Sequence, residues 1–211
     1  MNTTGTLTVI SGFAGSGKGT LMKALMSDYD GYALSISATT RDKRPGEEEG
    51  RDYFFVTKEE FESMIEKDEL LEYASYVSNY YGTPKKYVFD KLKEGKNVIL
   101  EIETQGALKV KEKYPDTLLM FVMPPSVDEI YNRLKKRGTE SEEVIMKRMR
   151  RACEEAKVID KYDYLVINDV VEDCVKRMHD TISSAKYLAS RNADRIQTVK
   201  DQFKEFLKEE K

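Results

Sequence analysis

Residues 12–20 read GFAGSGKGT, and they sit between a short β-branched run, residues 6–11 (TLTVIS), and a helical pattern that begins at Lys18. A strand that runs through a glycine-rich turn straight into a helix is the opening of a parallel α/β fold. Gly12, Gly17 and Lys18 occupy the first seven positions of the phosphate-loop pattern. Glycines let successive backbone N–H groups turn inward as a nest for phosphate oxygens, and the helix start adds partial positive charge. Lys18 supplies a full charge to the outer phosphates. Gly12, Phe13, Ala14, Gly15, Ser16, Gly17, Lys18, Gly19 and Thr20 are therefore the candidate ATP-binding residues. The pattern departs at Gly19, where a Ser or Thr hydroxyl usually reaches Mg²⁺. Thr20, one residue on, is better placed for a phosphate.

The rest of the chain keeps the α/β rhythm. Residues 33–37 (ALSIS), 97–103 (NVILEIE), 117–123 (TLLMFVM) and 164–168 (YLVIN) are further strands, with a helix through Ala107 and Val110 between two of them. Such alternation predicts a parallel sheet covered by helices on both faces. Residues 38–94 are tyrosine-rich, turn-rich and charged, and read as an inserted lobe. Residues 134–154 read as a helical lid, with Ser126–Glu129 and Thr139–Glu142 as capping boxes and Gly138 as a helix stop. The core is then 1–37, 95–133 and 155–211. In the tail, Ile196, Val199, Phe203 and Phe206 recur at helical spacing, which predicts an amphipathic helix docked on the core, with a dimer contact as the alternative.

Composition narrows the class. The net charge of −3 gives no general affinity for nucleic acid or an anionic membrane. No apolar run reaches membrane-spanning length, and the chain opens without a basic-then-apolar leader, so a cytoplasmic protein is expected. Cys153 and Cys174 lack metal-ligand spacing and read as reduced and structural.

A second cluster of chemistry follows the loop. Arg41 and Arg44, with Tyr53, offer two guanidiniums and a phenol as a clamp for a phosphate dianion, although taken alone they could be a charged surface loop. Glu72, Tyr80, Tyr81 and Thr83 lie in ELLEYASYVSNYYGTP, where a Tyr-Tyr-Gly run by itself is packing. The spelling GKGT resembles the adenylate kinases and related nucleoside monophosphate kinases. The run TTRDKRPGEEEGRDYFF, with NYYGT, VILEIETQGA, RGTE and INDVVED in order, resembles the guanylate kinases over residues 5–188.

That resemblance implies a P-loop NTP hydrolase-like α/β fold with a GMP-binding lobe and a lid. It implies Mg²⁺-assisted transfer of a phosphoryl group from ATP to GMP, and dGMP as a further acceptor. By the same resemblance Arg41, Arg44, Tyr53 and Tyr81 grip the GMP phosphate, while Ser37, Glu72 and Thr83 read the guanine edge. Lys18, Arg41 and the lid-side Arg133, Arg137 and Arg148 carry the catalytic charge, and Asn168 with Asp169 lies toward the adenine. Glu103 stands where the family has an aspartate that meets GMP or the metal's water shell. The metal is held mainly through ATP phosphates and water. Lys135, Lys136, Arg150 and Arg151 read as a solvated basic helix, and His179 as a structural residue; an RNA-binding patch is the other reading of the basic cluster. Three rivals to a guanylate kinase stand beside it: a catalytically silent protein-binding module of the same fold, a kinase for a ribose bisphosphate, and a kinase for AMP or UMP. The module would be expected to lose Lys18 or the lid arginines, the second rival has no reason to keep Ser37, Glu72 and Thr83, and the third lacks the Arg41–Arg44 block. A homo-oligomer is compatible with all of this.

Overall fold

The computed structural model describes residues 4–76, 78–136 and 141–209. Five parallel strands form the central sheet in the order β2-β7-β1-β8-β9. They are β1 (Leu7–Gly12), β2 (Tyr32–Leu34), β7 (Asn97–Glu101), β8 (Leu118–Met123) and β9 (Tyr164–Ile167). The central strand is apolar on both faces because both are covered. Leu7 and Val9 pack with Val98, Leu100, Leu119 and Phe121 on one side. Ile10 packs with Ile99, Met120, Val122 and Val166 on the other. Helix α1 (Lys18–Asp28) and helix α7 (Val171–Ser184) cover this second side through Leu21, Leu25, Val175 and Met178. The first side takes Val88 of α3 (Lys85–Lys93), Ala107 and Val110 of α4 (Thr104–Lys113), Ile130 and Leu134 of α5 (Val127–Lys136), and Ile145 and Ala152 of α6 (Glu142–Ala156). Burying both faces is what turns the strands into continuous apolar runs.

The chain between β2 and α3 makes a second, four-stranded sheet in the order β4-β3-β6-β5. Its strands are β3 (Ala38–Thr39), β4 (Phe54–Phe55), β5 (Leu70–Tyr76) and β6 (Asn79–Pro84). One face closes over helix α2 (Lys58–Glu66), where Phe61 is fully buried against Ala38 and Leu70, with Phe54, Val56 and Tyr80 around them. Thr57 and Glu60 cap that helix reciprocally.

Four expectations need correction. The second strand ends at Leu34 rather than Ser37. Ser35 N–H still donates to Ile99 O, but by Ser37 the carbonyl accepts from Phe54 and the chain has joined the small sheet. Helix α6 is capped by Ser141, whose hydroxyl accepts from Val144 N–H; Glu142 accepts instead from the Tyr131 hydroxyl. Gly138 and Thr139 lie outside the described residues. The Ser126 hydroxyl does take the Glu129 N–H, yet the Glu129 carboxylate goes to Arg133. Finally, the tail forms α8 (Ala193–Glu209), but it does not dock: Ile196, Val199, Phe203 and Phe206 are all exposed. The helix-covered faces of the sheet are already filled by the residues named above. Among the described residues no helix is long and apolar enough to cross a membrane.

Candidate active site

The loop after β1 sits at the carboxyl edge of the sheet, where open α/β sheets bind ligands. Its shape comes from glycine. Gly17 caps α1 at φ 88°, in the left-handed region, and a Cβ there would come within 2.4 Å of the Asn168 amide nitrogen. The Ser16 N–H closes a turn onto Phe13 O at 3.0 Å. Asn168 is buried at the end of β9 and donates its side-chain amide to Ser16 O at 2.7 Å. Arg133 Nη2 donates to Asn168 O at 3.0 Å, and its Nη1 reaches Ser16 O at 3.5 Å. Glu129 steadies that guanidinium one helical turn away. Asn168 and Arg133 thus brace the loop backbone.

The Lys18 ammonium donates to Gly12 O at 2.6 Å and to Phe13 O at 3.3 Å. Burial lowers its pKa, while Glu101, Glu103 and Glu155 lie close enough to favour the charged form. Burial in turn raises the Glu101 carboxyl. The Ser16 hydroxyl is buried and has no hydrogen-bond partner among the described residues. A buried orphan hydroxyl in a glycine-rich loop at a helix start is what a phosphate oxygen would satisfy. Asp169, next to Asn168, accepts from Val170 N–H and from Arg177, which hold it below the usual carboxylate range.

The small sheet supplies the second half. Arg41 Nη2 pairs with Glu47 at 2.8 Å and stands over the Tyr53 ring at 5.4 Å. Tyr53 meets Tyr81 edge to face at 6.2 Å. Glu47 also accepts the Arg44 backbone N–H at 2.8 Å, so one carboxylate shapes the loop that presents both arginines. Two residues beyond Tyr81, on the same face, Thr83 donates to Glu72 Oε1 at 2.7 Å. The pairing register of β5 and β6 slips between Leu70 and Tyr73, and this irregularity sets Glu72 beside Thr83. Burial raises the Glu72 carboxyl, opposed by the Thr83 hydrogen bond. Gly106 makes room for it, since a Cβ there would lie 2.9 Å from Glu72 Oε2. Ser37, at the junction of the two sheets, contributes its carbonyl to Phe54 N–H.

Between the halves runs a network that sequence reasoning missed. Arg151 reads as solvated from its neighbours, yet it pairs with Glu103 at 2.6 Å and with Glu155 at 3.1 Å. Glu155 is buried, and its second oxygen has no partner among the described residues. The Tyr162 hydroxyl nearby is likewise buried, its pKa pushed up to about 12 by burial against an opposing influence of the Ser11 hydroxyl. The signal available in sequence was the i, i+4 spacing of Arg151 and Glu155 on the face of α6 that carries Ala152. Arg148 lies half-buried on α6, four residues before Ala152. Arg137 lies outside the described residues. His179 stacks on Tyr29 at 3.7 Å and bonds to the Tyr32 hydroxyl, far in role from the cleft.

Known proteins match this chain along most of its length. The guanylate kinase family model covers residues 4–185. A guanylate kinase of Caldanaerobacter subterraneus is 50% identical over 94% of this chain and 96% of its own. One from Latilactobacillus sakei is 46% identical over 99% and 100%. The crystal structure of a guanylate kinase from Anaplasma phagocytophilum superposes with a TM-score of 0.69 at 31% identity, covering 89% of each chain. With the phosphate loop and the Arg41–Glu72 face already in place, the chain belongs to the guanylate kinase family.

Proposed function

We infer that this protein transfers the γ-phosphoryl group of ATP to GMP, giving ADP and GDP. The observation that carries the reading is the half-buried Glu72 carboxylate. It is hydrogen-bonded to Thr83 and sits on the sheet face that also bears the Arg41–Tyr53–Tyr81 cluster. A carboxylate only accepts hydrogen bonds, and guanine presents donors at N1 and at its amino group. Adenine offers an acceptor at N1, which would face that half-buried negative charge.

The acceptor phosphate has a second pKa of about 6, so at neutral pH it attacks as a dianion and no strong base is needed. One of its oxygens bonds to the γ-phosphorus while the bond to the β,γ-bridging oxygen breaks, and that oxygen leaves on ADP. Catalysis is then positioning and charge screening. Arg41 and Arg44, with the Tyr53 and Tyr81 phenols, hold the acceptor. Lys18 leaves the loop carbonyls to meet the outer phosphates of ATP. The backbone of residues 12–20 and the Ser16 hydroxyl cradle the inner ones. Arg133 stands beside the loop, and Arg137 and Arg148 approach from the lid, residues 134–154, as it closes over the lobe, residues 38–94, and expels water.

Mg²⁺ fits this site as an ion carried on the ATP phosphates, where it would neutralise developing charge. Among the described residues no group of three or more acidic, His or Cys side chains could hold a metal unaided. Glu101 and Glu103 are the carboxylates placed to face its water shell, beside Lys18. Gly19 contributes no hydroxyl. The protein acts in the cytoplasm, on dGMP as well as GMP. Retention of Lys18 and the lid arginines speaks against a silent binding module.

The test measures ADP formation from Mg-ATP with GMP, AMP, UMP or ribose 1,5-bisphosphate in parallel. High turnover with GMP and little with the others is expected. Folded protein that turns over none of them would sink the reading.

A further inference from the structure

Glu103 is the N-cap of α4, yet its side chain makes no cap hydrogen bond to that helix. Aspartate, the residue that the resemblance to the guanylate kinases places here, is a favoured cap because it is short enough to reach its own helix's N–H groups. The extra methylene instead carries the Glu103 carboxylate to the Arg151 guanidinium, 2.6 Å away. Arg151 is itself tied to Glu155, one turn further along α6, at 3.1 Å. The Glu155 side chain is only 10% exposed, so the arginine is anchored in the protein on one side while the other faces the open cleft. The contact spans two parts of the molecule: α6 comes from the lid segment, and Glu103 begins the helix that follows β7 in the core. It also stands beside the phosphate loop, since Glu103, Glu155 and Arg151 all act on the Lys18 ammonium.

We propose that Arg151 is a positioning residue for the transfer: with Glu155 behind it, it holds the Glu103 carboxylate in place beside Lys18. The inference rests on the phosphoryl transfer proposed above. Charge supplies the reason. Around Lys18 stand three carboxylates, Glu101, Glu103 and Glu155, at the place where that ammonium must meet polyphosphate. A carboxylate free to swing there would pair with Lys18 and compete with ATP for it. A guanidinium bonded to Glu103 and Glu155 at once fixes both in one geometry through charge-assisted hydrogen bonds. A solvated basic residue would hold no carboxylate from another element. Because Arg151 is 51% exposed and Glu103 67%, their pair contributes little to stability, and its loss should be read in turnover and not in melting.

The experiment is steady-state kinetics with Mg-ATP and GMP on Arg151→Ala, Arg151→Lys, Glu103→Asp and the double variant Arg151→Ala/Glu103→Asp, with melting curves alongside. Arg151→Ala should lower kcat about tenfold while KM for GMP stays within about twofold, because a carboxylate is misplaced and no contact with the acceptor is removed. Arg151→Lys should recover most of the loss by keeping the charge. Glu103→Asp should lose a similar factor alone and nothing further in the Arg151→Ala background, since its missing methylene matters only while Arg151 is there to be reached. Wild-type kcat in Arg151→Ala, or losses that multiply in the double variant, overturns the positioning role. So does a fall in kcat matched by a lower melting temperature that Arg151→Lys leaves unrestored, which marks a structural contact only. Wild type without GMP turnover would instead overturn the proposed function, before any variant is compared.

Discussion

On the proposed function, the phosphate loop and the acceptor face solve one problem, holding an anion, with different parts of the chain. The loop uses backbone. Its shape depends on Gly17, and Asn168 and Arg133 grip its Ser16 carbonyl from behind. The acceptor face uses side chains: Arg41 held by Glu47, Tyr53 against Tyr81, and Glu72 steadied by Thr83. A backbone site recognises phosphate of any nucleotide. A side-chain site can also reject a base, because a wrong edge leaves a buried group unpaired. The difference predicts that damage to the loop slows every acceptor equally, whereas damage to the small sheet changes which acceptor is used.

Lys18→Met is the largest break. It removes the one full charge inside the loop, and turnover should fall about 10³-fold with GMP and with any slower acceptor alike. The melting temperature should hold or rise, since a buried ammonium is lost. A fall confined to GMP would place Lys18 on the wrong side of the comparison.

Glu72→Gln comes next and should separate the two halves. Two hydrogen bonds from a base to a carboxylate, about 1.5–3 kcal/mol each, become one neutral bond and one donor clash, so kcat/KM for GMP should drop at least about 100-fold with KM for ATP unmoved. Stability should move the other way. Burial raises the folded-state pKa of Glu72 above its unfolded value, so the native state binds more protons through that window. The favourable contribution is present below the unfolded pKa and is lost as pH rises through the folded one. At neutral pH the wild type therefore carries the cost of a half-buried charge that the glutamine avoids. Melting curves at neutral pH and at pH below the carboxylate range should show the variant's advantage at the former only.

Asn168→Ala tests whether the brace belongs to the loop. Ser16 O would keep only the long contact from Arg133, and a cavity would open behind Gly17. Losing one buried hydrogen bond of about 1–1.5 kcal/mol should raise KM for ATP about tenfold and leave the ranking of acceptors intact. A change in that ranking would mean that the loop and the small sheet are coupled.

The same contrast explains what the sequence made legible. Backbone sites need glycine and a lysine at fixed spacing between a strand and a helix, so the loop could be read from nine residues. The three central strands could be read because burial on both faces makes them largely apolar, and the edge strands β2 and β9 because they are short apolar runs, although Leu34, Leu165 and Ile167 are exposed. Arg41, Tyr53, Glu72 and Thr83 come from four separate places in the chain, and only their likeness to a known family brought them together. The network of Arg151 with Glu103 and Glu155 escaped, because a basic residue in a basic run looks solvated until the fold brings a carboxylate from another element. Helix α8 was read correctly as amphipathic and wrongly as docked. Periodicity tells which face is apolar, not whether the core still has room for it.

The smallest effect addresses the residue that departs from the phosphate-loop pattern. Gly19 lies inside α1 with no atom within 4 Å of where a Cβ would sit, and its backbone is not left-handed. A side chain therefore fits there without strain. Gly19→Ser should stabilise the protein by about 0.5 kcal/mol through helix propensity alone, read as a small rise in melting temperature. The new hydroxyl stands where other phosphate loops touch the metal. If the ion is carried by phosphates and water, as the Gly19 loop implies, serine should leave the ratio of activities with Mg²⁺ and Mn²⁺ within about twofold of wild type. A larger shift in that ratio would mean that the metal sits within direct reach of position 19, and that glycine there sets metal preference. The backbone half of the site would then also discriminate, through its ion instead of its nucleotide.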